Sequence, residues 1–129
     1  MAKVHAVRVG DKYGPEYEEY LKSKLDITFI NESIHPFIRQ WNKLRFFGLD
    51  IDEPICVMDI DIELMNDYME LFDYPIERGE FLSIPTFGDT DAWRGYTLNG
   101  GFYKFYPSDT KYILEKFLKD PQHWSSFYI

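Results

Sequence analysis

Pro54-Ile55-Cys56-Val57-Met58-Asp59-Ile60-Asp61-Ile62-Glu63-Leu64 is a short apolar run that ends in two acids separated by one isoleucine. In an extended chain successive side chains alternate between faces. Asp59 and Asp61 are therefore expected to project one way, and Met58, Ile60 and Ile62 the other. Two carboxylates on one side of a buried strand's end are costly unless a cation or strong donors satisfy them, and they suit a hard cation. Upstream, Lys3-Val-His-Ala-Val-Arg-Val9 reads as a strand covered on both faces, ending at the loop Gly10-Asp11-Lys12-Tyr13-Gly14. Pro15 suits the first turn of a helix that turns Tyr17, Tyr20, Leu21 and Leu25 inward. Asp26–Ile30 is a second short strand. His35-Pro36 opens another helix with Phe37, Ile38, Trp41 and Leu44 inward, fading at Gly48, and Pro54 precedes the third strand. The order β-α-β-α-β predicts an α/β fold with a mainly parallel sheet and helices on both faces. Ligands of such sheets bind off the carboxyl ends of the strands, which puts the Gly10–Gly14 loop and the Asp59–Asp61 end on one rim.

The second half is less regular. Asp67–Phe72 reads as a short helix, Phe81–Ile84 as a strand and Pro85–Tyr96 as an ordered loop. Thr97–Tyr106 reads as a strand whose Gly100-Gly101 leaves room for a close approach to the backbone. Ser108 is expected to cap a helix carrying Ile113, Leu114, Phe117 and Leu118, with Pro121 stopping it. Ser125–Ile129 is expected to begin a further strand.

Composition narrows the classes. With 129 residues, 45% of them apolar and 19% aromatic, the chain is long enough for one domain with its own core. A net charge of −8 without any basic run argues against a general nucleic-acid surface. It does not argue against a nucleotide, because a divalent cation reverses the local sign of an acidic pocket. The single cysteine, Cys56, lies in the apolar run and reads as a buried, inert thiol. No targeting segment or membrane-spanning stretch is visible, so a cytoplasmic chain is expected.

Four stretches, in order, resemble the glycogenin-like and lipopolysaccharide-galactosyltransferase-like glycosyltransferases, whose Rossmann-like GT-A nucleotide-diphospho-sugar transferase fold they imply. Asp11-Lys12-Tyr13 is similar to that family's D-x-Y nucleoside loop. Trp41-Asn42-Lys43-Leu44 is similar to the helix whose lysine reaches the donor, and Asp59-Ile60-Asp61 to the D-x-D metal motif. Asn99-Gly100-Gly101-Phe102, followed by Pro107, is similar to the N-[SG]-G strand and the helix after it. The resemblance implies a hexosyltransferase that binds a nucleotide-sugar donor, a UDP-sugar, and passes the sugar to an unknown acceptor. It implies donor contacts from Asp11, Tyr13, Lys43, Asp59, Asp61, Asn99, Gly100 and Gly101, with Mn²⁺ or Mg²⁺ held by Asp59 and Asp61. It assigns no catalytic residue. The family's second half carries an Asp-Gln element and a late histidine ligand. Neither is found here, where His123 is the only histidine after the D-x-D. Residues 1–129 are accordingly expected to be a nucleotide-sugar-binding domain or the N-terminal portion of one, truncated or reduced. An oligomer or a partner chain would then cover the missing half.

Plainer readings stand beside these. Asp59 and Asp61 are also compatible with solvated loop acids, Lys43 with a solvated helix lysine, and Tyr13 with packing. Trp41 reads as core under either view. His5 reads as a satisfied core histidine, Glu16, Glu18 and Glu19 as a solvated face, and Glu77-Arg-Gly-Glu80 as a surface ion-pair group of small value. Asp89, Asp91 and Trp93 lie where acids approach the sugar in the resembled family. The competing functions are a non-catalytic remnant serving as a nucleotide-binding or interaction module and, last, a metal-dependent phosphohydrolase.

Overall fold

The β-branched runs form the strands expected of them. In the computed structural model, which describes residues 2–84 and 99–127, β1 is Lys3–Val7, β2 is Ile27–Ile30 and β3 is Ile55–Met58. β1 pairs parallel with both β2 and β3, with Val4 opposite Ile27 on one side and Cys56 on the other. Between β1 and β2 lies α1 (Pro15–Lys22), with Pro15 in its first turn, where the missing N–H removes no helical bond. The remaining strands, β4 (Phe81–Ile84) and β5 (Asn99–Phe105), complete a five-stranded sheet in the order β2-β1-β3-β5-β4.

The sheet is mixed, and this corrects the expectation of a mainly parallel one. β5 runs antiparallel to β3, with Met58 opposite Phe102, and β4 runs antiparallel to β5. The parallel half follows from the crossover elements before β2 and β3. β5 enters the sheet beside β3 in the opposite direction, a choice made by long-range pairing that local patterning does not encode.

Side-chain alternation divides the core in two. Val4, Ala6, Cys56, Met58 and Phe102 meet Leu21 and Leu25 from the α1 side and Phe72 of α2 (Met69–Phe72). Ile55, Val57 and Phe105 meet Phe46 and Phe47 on the opposite face, with Ile113 and Leu114 of α3 (Pro107–Lys119) packed beside them. Helices therefore cover both faces, as expected. Each fully buried Leu, Ile or Phe contributes about 1.5–3 kcal/mol. Lys104 is also buried: strand alternation puts it on the face of Phe102, and its Nζ donates to the Phe72 and Tyr74 carbonyls at 2.7 and 2.6 Å. An ammonium so placed caps the carboxyl end of α2.

Three local expectations are corrected. The segment after Pro36 is not an α-helix but a 3₁₀ helix, Arg39–Gly48, and Ile38 is 53% exposed rather than inward. Fully buried Asn42 accounts for the difference: its Nδ2 donates to the Arg39 carbonyl (2.9 Å) and to Ser33 Oγ (3.0 Å). A side chain bonded three residues back competes with the i−4 ladder. Second, α3 starts from Tyr106 with Pro107 in its first turn, so Ser108 does not cap it; Leu118 is 45% exposed, whereas Phe117 is buried. Third, Pro121 both ends α3 and opens α4 (Pro121–Phe127), where a strand was expected to begin. α3 is tied to the 3₁₀ helix by Thr110 Oγ1, which donates to the Phe47 carbonyl at 2.7 Å, and by Trp41 and Phe37, which stack on Phe117 at 5.2 and 5.4 Å. Among the described residues no helix is long and apolar enough to cross a membrane.

Candidate functional site

The carboxyl ends of β1 and β3 open onto a cleft of roughly 1250 Å³. One wall is the loop after β1, where Gly10 (φ +84°) takes a left-handed turn that other residues resist. Asp11 and Tyr13 of this loop line the cleft, as do Trp41 and Lys43 of the 3₁₀ helix and Asp59 and Asp61 beyond β3. The expectation of one shared rim is met.

Met58, Ile60 and Ile62 all belong to the apolar cluster under α1, while both acids between them face the cleft. Asp59 is ion-paired with Lys43 Nζ, the lysine 18% and the aspartate 41% exposed by side chain. The Asp59 N–H donates to the Gly101 carbonyl at 3.0 Å, which brings Gly101 of β5 against the acid motif. Asp61 is exposed and accepts the Tyr13 hydroxyl at 3.1 Å. Tyr13 packs edge-on against Tyr17 at 4.9 Å, and Lys12 Nζ lies 5.3 Å from its ring centroid. On β5, burial and then the Asp59 charge push the half-buried Tyr103 phenol up from its ordinary range. Asp61 also borders a smaller hollow of roughly 430 Å³ with Glu16, Tyr17, Tyr20 and Glu63.

Arg8 fixes the loop after β1, which the sequence alone does not indicate. Its Nε donates to Glu18 at 2.7 Å and its Nη1 to the Tyr13 carbonyl at 3.2 Å, while its own carbonyl accepts Asn31 Nδ2. Glu18 is therefore no solvated acid: its side chain is only 12% exposed. Burial pushes its carboxyl up, but hydrogen bonds from Arg8 and Asn31 and the charges of Arg8 and Lys22 outweigh that and hold it below the usual range. The signal available was position, since Arg8 stands at the end of β1 just before Gly10. Arg39 and Gln40, at the start of the 3₁₀ helix, and Gln122, Ser125 and Ser126 of α4 also line the cleft and were not foreseen.

Of the other expected donor residues, Gly101 is placed against Asp59 and Gly100 lies beside it in β5. Asn99 begins β5 opposite Ile84. Asp89, Asp91 and Trp93 lie outside the described residues. His5 is buried with Nδ1 2.9 Å from Thr28 Oγ1, but its Nε2 has no hydrogen-bond partner among the described residues, so it is half satisfied. Cys56 is buried as expected, and burial pushes its thiol up to about 12. Arg78 is more engaged than a surface pair: it grips Asp109 with both Nε and Nη2, reaches Asp52, and lies over the Tyr106 ring.

Among the described residues, no three His, Cys, Asp or Glu side chains gather to hold a metal ion. Asp59 and Asp61 present two carboxylates to the cleft, each already satisfied by a donor of the same chain. That donor set fits a cation that completes its shell with ligand phosphates and water. It does not fit a closed structural site. Comparisons with protein-family models, with curated proteins and with solved structures found no match.

Proposed function

We propose that this chain is a metal-dependent glycosyltransferase domain with the GT-A fold, binding a nucleoside-diphosphate sugar such as a UDP-sugar in the β1–β3 cleft. One observation carries the reading: residues from three separated stretches line the cleft, and a fourth is hydrogen-bonded to one of them. Asp11, Tyr13, Lys43, Asp59 and Asp61 line the cleft, and Gly101 is bonded to the Asp59 backbone. The Tyr13 ring offers a flat surface to the base and Asp11 accepts from the nucleoside. Lys43 supplies a compact positive charge to the diphosphate. Asp59 and Asp61 would hold Mn²⁺ or Mg²⁺, and a cation there would supply Lewis-acid stabilisation to a diphosphate leaving group. Gly101, whose carbonyl accepts the Asp59 N–H, is assigned to the sugar side of the donor. The volume of the cleft, roughly 1250 Å³, accommodates a donor together with part of an acceptor.

A second reading, a nucleotide-binding module without transfer, is favoured by a different observation. The only carboxylates among the described lining residues are Asp11, Asp59 and Asp61, all assigned above to the donor and its cation. Among the described lining residues, no further carboxylate remains to take a proton from an acceptor. Incubation with UDP-glucose or UDP-galactose and Mn²⁺ separates the two. Slow UDP release that disappears in Asp61→Ala supports the transferase, whereas tight UDP binding without release supports the module.

A further inference from the structure

We infer that Arg39 is a second phosphate-binding side chain of this cleft, reserved for the ligand's diphosphate and held for it by a buried amide. The inference rests on the nucleotide-binding reading and names a residue that reading did not include.

Arg39 is held in an unfavourable conformation. Its φ of +47° lies in the left-handed region, which L residues with a β-carbon resist, and only one other non-glycine residue described, Asp67, shares it. Such strain persists where the surroundings over-determine it, and it concentrates at functional positions. Here the surroundings are identifiable. Asn42, fully buried, donates to the Arg39 carbonyl at 2.9 Å and to Ser33 Oγ at 3.0 Å, while its Oδ1 accepts Arg45 Nη1 at 3.2 Å. Arg45 in turn donates to the Glu32 carbonyl at 2.9 Å. This network pins the corner from Glu32 to Arg45 and sets Arg39 on the cleft wall.

The other cations lining the cleft have partners in the chain. Arg8 is paired with Glu18, Lys43 with Asp59, and Lys12 lies over Tyr13. Arg39 is exposed, and its guanidinium makes no ion pair among the described residues. Four cationic side chains, Arg8, Lys12, Arg39 and Lys43, line the cleft beside Asp11, Asp59 and Asp61, in a chain of net charge −8. A planar guanidinium suits two phosphate oxygens at once. With Lys43, which lines the same cleft, it would contact a diphosphate at two points.

Calorimetric titration with inorganic pyrophosphate, UDP and uridine, each with Mn²⁺ present, tests this on the wild type, Arg39→Gln and Arg39→Gly. Arg39→Gln is expected to weaken pyrophosphate and UDP by roughly 10- to 100-fold and leave uridine unchanged. Arg39→Gly relieves the left-handed strain, so it is expected to lose the same affinity without a fall in Tm. Unchanged pyrophosphate and UDP affinity in both variants overturns the inference while leaving the nucleotide reading intact. Wild-type binding of pyrophosphate but not UDP, lost in Arg39→Gln, sustains Arg39 and overturns the nucleotide reading. Binding of neither anion by the wild type overturns both.

Discussion

Replacing Lys43 with Gln should move two affinities in opposite directions. In the ligand-free chain the Lys43 ammonium occupies the Asp59 carboxylate, the oxygen a divalent cation would need. The pair is not deeply buried, with Asp59 41% exposed by side chain, so solvent screening limits its value to about 1 kcal/mol. Removing the lysine relieves that competition and one nearby positive charge. Mn²⁺ alone should bind roughly five-fold tighter. The diphosphate, by contrast, loses a charge-assisted contact, so UDP in saturating Mn²⁺ should bind roughly ten-fold or more weakly. Electron paramagnetic resonance of free Mn²⁺ gives the first affinity and calorimetry the second. If Lys43→Gln weakens Mn²⁺ alone, or leaves UDP affinity untouched, Lys43 does not alternate between the carboxylate and the phosphates and the reasoning fails.

Other consequences concern the scaffold. Lys104→Met fits the apolar face but leaves the Phe72 and Tyr74 carbonyls without their donor, and should cost about 3 kcal/mol in urea unfolding; a loss within error would mean that these carbonyls are hydrated. Thr110→Val removes the donor to the buried Phe47 carbonyl and should cost about 1–2 kcal/mol, seen as a lower urea midpoint with an unchanged m-value. Burial, and then the nearby Lys3 charge, depress the His5 imidazolium below its ordinary range of about 6.5, against a smaller opposing pull from Asp26. The folded state then binds fewer protons than the unfolded one. Stability should be flat above the unfolded value, fall as pH drops through it, and level off below the folded value. His5→Leu should remove that slope between pH 7.5 and 5.5; an unchanged slope would assign it to other groups.

Much of the first sixty residues was legible because it is local. β-branched runs, Pro15 at a helix start and alternation through Met58-Asp59-Ile60-Asp61 each act over a few residues, and they placed three strands and the acid motif correctly. The shared rim followed from them. What was not legible depends on partners distant in sequence. Antiparallel entry of β5 beside β3 is a pairing choice, and the burial of Lys104 depends on the Phe72 and Tyr74 carbonyls, some 30 residues away, that accept from it. Glu18 was taken for a solvated acid because Arg8 and Asn31 lie 10 and 13 residues away. The 3₁₀ helix was missed because Phe37, Ile38, Trp41 and Leu44 fit an α-helical period, whereas Asn42 decided the geometry through Ser33 and Arg39. Pro121 shows the same ambiguity at smaller scale, since a proline that ends one helix is equally suited to begin the next. Arg39 and the α4 residues on the cleft carry no motif at all, and only the fold brings them to the acids.

In the proposed site the Asp59–Asp61 end of β3 is a cation–diphosphate anchor served by Lys43 and the Asp11–Tyr13 loop. The most direct test is calorimetric titration of the folded chain with UDP, with Mn²⁺ and again with the metal chelated, alongside Asp61→Ala. The account predicts saturable UDP binding that requires Mn²⁺ and is lost in Asp61→Ala. Absence of UDP binding to folded wild-type protein in Mn²⁺, or binding of equal strength after chelation, would contradict it.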